Sequence, residues 1–175
     1  LPSADVSIVF DKNQVRVTSG SFKSRLQAIS ADDFPMLPNV EGDIINLPAK
    51  ALRTLIDKTR YAIADKASKF VLNGSLLSLS DGVMAMVTTD SKRLSLATAT
   101  RTAGPNTTAI IPSKTLDVLG AFLGDADVEF SQSERHLFFQ VGDRVLFSRM
   151  LDGQFPKYER IIPQDNTNIA VVDRA

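Results

Sequence analysis

Two nine-residue segments of the chain have nearly the same pattern: LPAKALRTL, from Leu47 to Leu55, and IPSKTLDVL, from Ile111 to Leu119. Each begins with an apolar residue, a proline, a small residue and a lysine. Proline is favoured in the first turn of a helix, where a missing N–H costs no intrahelical bond. The shared pattern therefore predicts two helices that start in the same way and belong to an internal repeat.

Both segments continue with apolar residues at helical spacing, which predicts that each helix buries one face. The first apolar face consists of Leu52, Leu55, Ile56, Thr59 and Ile63, and the second consists of Leu116, Leu119 and Leu123. Gly124 follows the second face at once, and a glycine in this position commonly ends a helix. We therefore expect the second helix to stop there.

Most of the remaining chain has the two-residue period of strands. Polar turns such as 80–82 separate the apolar runs, which predicts antiparallel hairpins. We expect strands at 6–10, 15–17, 22–26, 70–79, 83–87, 94 onwards, 128–130, 137–141 and 145–150. The predicted fold class is therefore α+β, with two helix-plus-strands units in a domain and the helices on one face of antiparallel sheets.

A longer period sets the expected domain boundaries. The strands that end at Phe34-Pro35 resemble those that end at Phe155-Pro156. We therefore predict that residues 1–40 are the last strands of one domain and that 164–175 begin another. Between them, 41–163 form a complete domain whose two units cover about 44–107 and 108–163. Because the chain has no initiator methionine and stops after an apolar run, we expect it to be a piece of a longer protein.

Composition excludes several classes of protein. The 175 residues include no cysteine, which excludes disulfides, thiolate metal sites and thiol nucleophiles. No apolar run approaches the roughly 20 residues that span a bilayer, and the first residues do not form a secretory leader. We therefore expect a soluble, cytoplasmic protein. Twenty basic and twenty acidic residues balance, so a surface that binds nucleic acid must be local.

Candidate catalytic groups are few. The single histidine, His136, stands in a predicted hairpin turn, and no serine has the surroundings of a nucleophile. Two acidic pairs have the ligand chemistry that Mg²⁺ prefers: Asp32 with Asp33, and Asp125 with Asp127. Acidic residues in such loops are more often turn formers. We therefore predict a protein without a catalytic site, metal or cofactor, and a metal-dependent nuclease is the alternative.

The polar face of the first helix is basic. Lys50 and Arg53 lie opposite its apolar face, Lys66 and Lys69 lie just beyond it, and Lys114 lies on the second helix. Charged helix faces are usually just solvated. The other interpretation is a local surface that contacts phosphates.

Four motifs, in this order and spacing, resemble the bacterial DNA polymerase III beta subunit, the sliding clamp. They are LNGSLLSLSDG (72–82), TTDSKRLSL (88–96), IIPSKTL (110–116) and DGQFPKYERIIP (152–163). The opening stretch SGSFKSRLQAISADDFP (19–35) resembles the last strands of the first domain of that family. The resemblance implies the DNA clamp fold, in which three similar domains per protomer form a homodimeric ring. Helices line the hole of this ring around duplex DNA.

The resemblance also implies a function and partners. It implies a non-catalytic processivity factor that encircles duplex DNA, with Lys50, Arg53, Lys66, Lys69 and Lys114 facing the phosphates. It implies that the replicative polymerase, the clamp loader and other partners insert a short peptide into an apolar groove between the middle and third domains. The residues that it assigns to the groove are Leu72, Thr89, Ser91, Lys92, Arg93, Leu94, Pro156, Arg160 and Ile161. A β-rich interaction module unrelated to replication is the third interpretation.

One turn departs from the usual pattern of the family. The family motif reads Thr-Asp-Gly-His-Arg-Leu, whereas Ser91 and Lys92 stand here in place of glycine and histidine. A serine makes a left-handed backbone costlier than a glycine does. The lysine adds a permanent positive charge to the rim of the predicted groove.

Overall fold

A computed structural model of the chain describes residues 5–34, 36, 40, 42–65, 70–163, 165–167 and 169–173. The chain divides into two compact units, 1–39 and 40–175. Two of the predicted DNA-facing lysines, Lys66 and Lys69, lie outside the described residues.

The first unit contains a three-stranded antiparallel sheet. Its strands are β1 (Ser7–Asp11), β2 (Gln14–Ser19) and β3 (Phe22–Gln27), paired in sequence order. The alternation of apolar residues predicted these strands, and the structure confirms them. A 3₁₀ turn at Ala31–Asp33 follows, and the Ser30 hydroxyl accepts a hydrogen bond from the N–H of Asp32 at its start.

Within its described residues, the second unit contains two four-stranded antiparallel sheets and two α-helices. Its strands are β4 (Ile45–Leu47), β5 (Gly74–Ser80), β6 (Val83–Thr89), β7 (Leu94–Thr100), β8 (Thr107–Pro112), β9 (Val128–Gln132), β10 (His136–Val141) and β11 (Arg144–Arg149). The helices are α1 (Ala49–Thr59) and α2 (Ser113–Phe122). The strand orders are β7-β6-β5-β8 and β11-β10-β9-β4. The predicted α+β class is confirmed.

The first strand of each repeated unit lies in the sheet of the other unit. Strand β4 precedes α1 but pairs with β9, with Ile45 opposite Phe130. Strand β8 precedes α2 but pairs with β5, with Ile111 opposite Ser75. The repeat therefore exchanges strands between its two halves, which the sequence pattern did not predict.

The close pairing of β5 with β8 depends on a glycine. A Cβ atom on Gly74 would lie 2.4 Å from the carbonyl oxygen of Ile111 and 2.8 Å from Cδ1 of Leu151. Any side chain at this position would push β5 away from β8. The segment after β11 lies against the same edge of the sheet, because the Leu151 N–H donates to the Ile110 carbonyl oxygen at 3.0 Å. A side chain at position 74 would therefore displace Leu151 as well.

Both helices and both sheets of the second unit share one core. Leu52 and Leu55 of α1 and Leu116 and Leu119 of α2 are buried in it together with Phe130 of β9. Their apolar faces agree with the helical spacing in the sequence. The two helices therefore lie side by side, each with its polar face turned away from the core.

Several predicted boundaries were wrong. Helix α1 ends at Thr59, and a 3₁₀ turn carries the chain to Ile63, which is still buried in the core. The stretch 70–73, predicted as strand, is a 3₁₀ turn, and the Leu72 carbonyl oxygen accepts a hydrogen bond from the N–H of Ala64. His136 is the first residue of β10 rather than a turn residue, and its ring lies 4.9 Å from that of Phe147.

The end of α2 also differs from the prediction. Gly124 does not adopt the left-handed backbone of a glycine helix stop. The helix instead ends in an extended residue, Leu123, and arginine side chains bind its last carbonyl groups. None of the helices in the described part of the chain has the length and apolarity needed to cross a membrane.

Candidate functional site

The turn between β6 and β7 is held by two side chains at its start. The Asp90 carboxylate accepts hydrogen bonds from the N–H groups of Lys92 and Arg93 at 3.0 and 2.9 Å. The Thr89 hydroxyl accepts from the N–H of Ser91 at 3.1 Å and donates to the Arg93 carbonyl oxygen at 2.7 Å. Short polar side chains stabilise turns in this way. The turn is therefore fixed, and Ser91 adopts a left-handed φ of 76°.

Asp90 also neutralises the neighbouring arginine. The Nε–H of Arg93 donates to the second carboxylate oxygen at 3.0 Å. The backbone N–H groups of Arg93 and Lys92, together with the positive charge of Arg93, lower the pKa of Asp90 below its ordinary value. The guanidinium carbon of Arg93 lies 5.6 Å from the ring centroid of Tyr61, a cation–π contact that also holds the arginine.

The segment that follows β11 lies opposite the β6–β7 turn. The Met150 N–H donates to the Arg135 carbonyl oxygen at 3.0 Å, and with the Leu151 bond to Ile110 this anchors the segment to both sheets. The segment then runs to a 3₁₀ turn at Tyr158–Arg160, which places Pro156 and Ile161 opposite the β6–β7 turn. Burial, followed by the neighbouring Glu159, raises the pKa of Tyr158.

These segments enclose a cavity of about 290 Å³. It is lined by Leu72, Thr89, Ser91, Lys92, Arg93, Leu94, Pro156 and Ile161. The structure therefore brings together every predicted groove residue except Arg160, which is exposed and does not line the cavity. The lining combines an aliphatic floor with a polar, cationic rim, a composition suited to a peptide with an apolar anchor.

Two basic side chains of the first helical region bind the second helix. Arg53 donates to the carbonyl oxygen of Gly120 at 3.0 Å and also to that of Leu123. Arg60 pairs with Asp117 on α2, and the hydrogen bond to this carboxylate raises the pKa of Arg60. Arg53 therefore has a structural role at the negative end of the α2 dipole, which the sequence pattern did not reveal.

Lys50 and Lys114 occupy the second position of α1 and of α2, and both are exposed. Neither helix has an acidic residue in its first turn. A lysine there lies in the positive potential of the helix N-terminus, which opposes its charge by about 0.3–1 kcal/mol. The lysines therefore make the helices slightly less stable. They also add to the positive potential at each helix N-terminus, which favours the binding of anions such as phosphates.

The acidic residues of the nuclease alternative lie in turns and loops. Asp32 lies in the 3₁₀ turn of the first unit, and Asp125 and Asp127 are exposed in the loop before β9. Among the residues that the structure describes, no three histidine, aspartate or glutamate side chains are grouped to hold a metal ion.

Residues 46–157 match the family model of the DNA polymerase III beta subunit, central domain. The chain belongs to this family. The beta sliding clamp of Pseudomonas putida is 30% identical over 174 residues, which cover 97% of this chain and 47% of the relative. The chain thus spans about half the length of the curated relatives that it matches.

Solved beta-subunit structures agree with this assignment. The crystal structure of the DNA polymerase sliding clamp from Bacillus subtilis is 30% identical and has a TM-score of 0.83, covering 94% of this chain and 45% of that one. The crystal structure of the DNA polymerase III subunit beta from Pseudomonas aeruginosa is 28% identical and has a TM-score of 0.80, covering 91% of this chain and 45% of that one. These findings give no support to the nuclease alternative.

Two residues of this beta-subunit domain were not predicted as part of the site. Asp90 organises the turn and pairs with Arg93, and Tyr61 stacks on the same arginine. An aspartate at the start of a turn is a recognisable signal, because its carboxylate can bind the next N–H groups. Nothing local in the sequence indicates that Tyr61 contacts a residue of the β6–β7 turn.

Proposed function

We propose that the chain is part of a DNA sliding clamp, which confers processivity on a replicative polymerase without catalysing a reaction. Membership in the beta-subunit family supports this proposal. The observation that carries it furthest is the cavity between the β6–β7 turn and the segment after β11, because residues from three distant parts of the sequence meet there. A longer, cytoplasmic protomer that closes into a homodimeric ring completes the proposal.

In this proposal the chain supplies 41–163 as the middle domain, with parts of its neighbours at 1–40 and 164–175. A third domain would then complete the groove on the side of Pro156 and Ile161. Ile161 is 62% exposed, which leaves it available to such a wall or to a bound peptide. The occupant is a short peptide from the polymerase, the clamp loader or another clamp-binding protein.

The groove has the chemistry that an apolar peptide requires. Leu72 forms a buried floor, and Leu94 and Pro156 present aliphatic surface beside it. Burying one leucine or phenylalanine anchor in such a site contributes about 1.5–3 kcal/mol. The fixed β6–β7 turn adds little ordering cost upon binding, because it is already held by four hydrogen bonds between backbone groups and the side chains of Thr89 and Asp90.

A peptide of the Gln-Leu-X-Leu-Phe type, titrated into the full-length protomer, tests the groove. We expect Leu94→Ala to weaken binding by about 1–3 kcal/mol, the usual range for a buried anchor. Leu96→Ala is the matched control, because Leu96 lies on the same strand but does not line the cavity. Arg160→Ala is expected to cost less than Leu94→Ala. Equal losses for Leu94→Ala and Leu96→Ala would contradict the proposed site.

Lys50 and Lys114 are the two described, exposed lysines of the predicted DNA-facing set. Their small number supports contact with DNA by encirclement rather than by tight binding. The α1–α2 pairing is antiparallel, since Arg53 contacts the end of α2 and Arg60 contacts its middle. Lys50 and Lys114 therefore lie at opposite ends of the pair, on the order of 15 Å apart for helices of this length. They can contact separate phosphates. Each phosphate neutralised steepens the salt dependence by only about 0.9 in log–log slope.

Retention on circular DNA tests encirclement directly. The full-length protein, loaded onto nicked circular DNA, is expected to stay bound in high salt and to leave after a restriction cut. Replacing both Lys50 and Lys114 with methionine is expected to leave retention on the circle unchanged, because topology rather than charge holds the ring. Equal release from circular and linear DNA would contradict the clamp mechanism.

A further inference from the structure

Resting on the proposed function, we infer that Lys92 makes this groove select peptides that carry an aspartate or glutamate next to the apolar anchor. Among the described residues, the cavity lining contains two charged side chains, Lys92 and Arg93, and both are positive. A groove with this lining has a net positive rim. An acidic peptide residue is the complementary occupant.

The two cations are not equivalent. Arg93 is paired with Asp90 and stacks on Tyr61, so its charge is already compensated within the protein. Lys92 is exposed, and its ammonium group forms no ion pair or hydrogen bond with any part of the chain that the structure describes. The uncompensated charge of the rim therefore belongs to Lys92.

The position of Lys92 is set by the turn rather than by its own side chain. Its N–H is bound to the Asp90 carboxylate at 3.0 Å, and the preceding residue, Ser91, has a left-handed φ of 76°. The side chain of Lys92 is therefore attached to a fixed backbone position, two residues before Leu94, the aliphatic residue that begins β7. A bound apolar anchor at Leu94 would bring its flanking residues within reach of this flexible ammonium.

Measured affinities of charge-varied peptides test the inference. The full-length protein is titrated with fluorescent peptides that share the apolar anchors and carry aspartate, asparagine or lysine on either side of them. The proteins compared are the wild type, Lys92→Met, Lys92→Arg and the control Lys23→Met, which changes an exposed lysine in the first unit.

For the wild type at low salt we expect the aspartate peptide to bind roughly 2- to 5-fold more tightly than the asparagine peptide, the range of an exposed ion pair. Lys92→Met is expected to abolish this preference, whereas Lys92→Arg and Lys23→Met retain it. Raising the salt to about 1 M shortens the screening length to about 3 Å and is expected to remove the preference in every protein.

The outcomes separate this inference from the proposed function. Equal wild-type affinities for the aspartate and asparagine peptides, or a preference that persists in Lys92→Met, would overturn the role of Lys92 and leave the groove intact. A failure of every peptide to bind the wild type would overturn the groove itself, and the selectivity inference with it.

Discussion

The Arg53 guanidinium on α1 donates a hydrogen bond of 3.0 Å to the carbonyl oxygen of Gly120 on α2, far away in the sequence. A second bond from the same group reaches the carbonyl of Leu123. One side chain thus joins the two repeated helices and satisfies carbonyl groups that have no intrahelical partner. Arg53, one of the five residues predicted to face DNA, is therefore also a structural link between the helices.

Because of these hydrogen bonds, we expect replacement of Arg53 and replacement of Lys50 to have different effects on stability. Arg53→Met is expected to lower the free energy of unfolding by about 1–3 kcal/mol, because it leaves helix-end carbonyls without a charged donor. Lys50→Met is expected not to lower it, because the lysine is exposed and its charge is opposed by the N-terminus of α1. Urea denaturation of both variants measures the difference. Similar stabilities would mean that the Arg53 hydrogen bonds contribute little to folding.

The last carbonyl groups of α1 accept hydrogen bonds from hydroxyl groups of the sheet. The Thr88 hydroxyl donates to the Thr59 carbonyl oxygen at 2.6 Å, and both residues are buried. Thr88→Val keeps the shape but leaves this carbonyl unpaired, and we expect a loss of about 1–3 kcal/mol in the free energy of unfolding. Thr98→Val, an exposed change on β7, serves as the control. A loss below about 0.5 kcal/mol for Thr88→Val would show that water replaces the missing donor.

The left-handed backbone at Ser91 predicts the effect of restoring a glycine. A non-glycine residue in this region costs about 1–2 kcal/mol, but glycine also raises the entropy of the unfolded chain. We therefore expect Ser91→Gly to be neutral or to stabilise by up to about 1 kcal/mol. Ser91→Val should destabilise, because β-branched residues tolerate this conformation poorly. Thermal unfolding of the three proteins tests the order, and a less stable Ser91→Gly would show that Ser91 is not strained.

The lowered pKa of Asp90 predicts how the β6–β7 turn responds to acid. The folded pKa lies below the unfolded value, so the stabilisation by this carboxylate is complete above the unfolded pKa of about 3.9 and is lost as the pH falls through the folded value. The N–H signals of Lys92 and Arg93 in an NMR titration should therefore shift with a midpoint below 3.9. Asp90→Asn, which keeps an acceptor oxygen without the charge, should remove this midpoint. A wild-type midpoint at or above the ordinary value would contradict the network.

Local pattern predicted the parts of the fold that depend on local physics. The apolar spacing that starts at Leu52 and at Leu116 identified both helices, and two-residue alternation identified most strands. It failed for β4, which is only three residues long, and for β8, which ends in a proline. It also extended α1 to Ile63, because a residue in the following turn can reach the same core as the helix face.

The candidate site was accessible from the sequence only through family resemblance. Spacing alone does not indicate that Leu72 and Leu94 line the same cavity as Pro156, since the contact depends on how both sheets anchor the segment after β11. The same limit explains Arg53, whose acceptors lie on another helix. Side chains that act over long sequence separations carry no local signature. Arg160 does not line the cavity, and its role in peptide binding stays a prediction.

The exchange of β4 and β8 between the two sheets also affects how the domain folds. Neither half can complete its hydrogen-bonded ladder until the other has arrived, so the rate-limiting step must bring distant segments together, and folding should be correspondingly slow. The same interlocking leaves no half that can open while the other stays intact. Partial unfolding is therefore suppressed, and the domain should respond to heat or to mechanical pull as a single cooperative body.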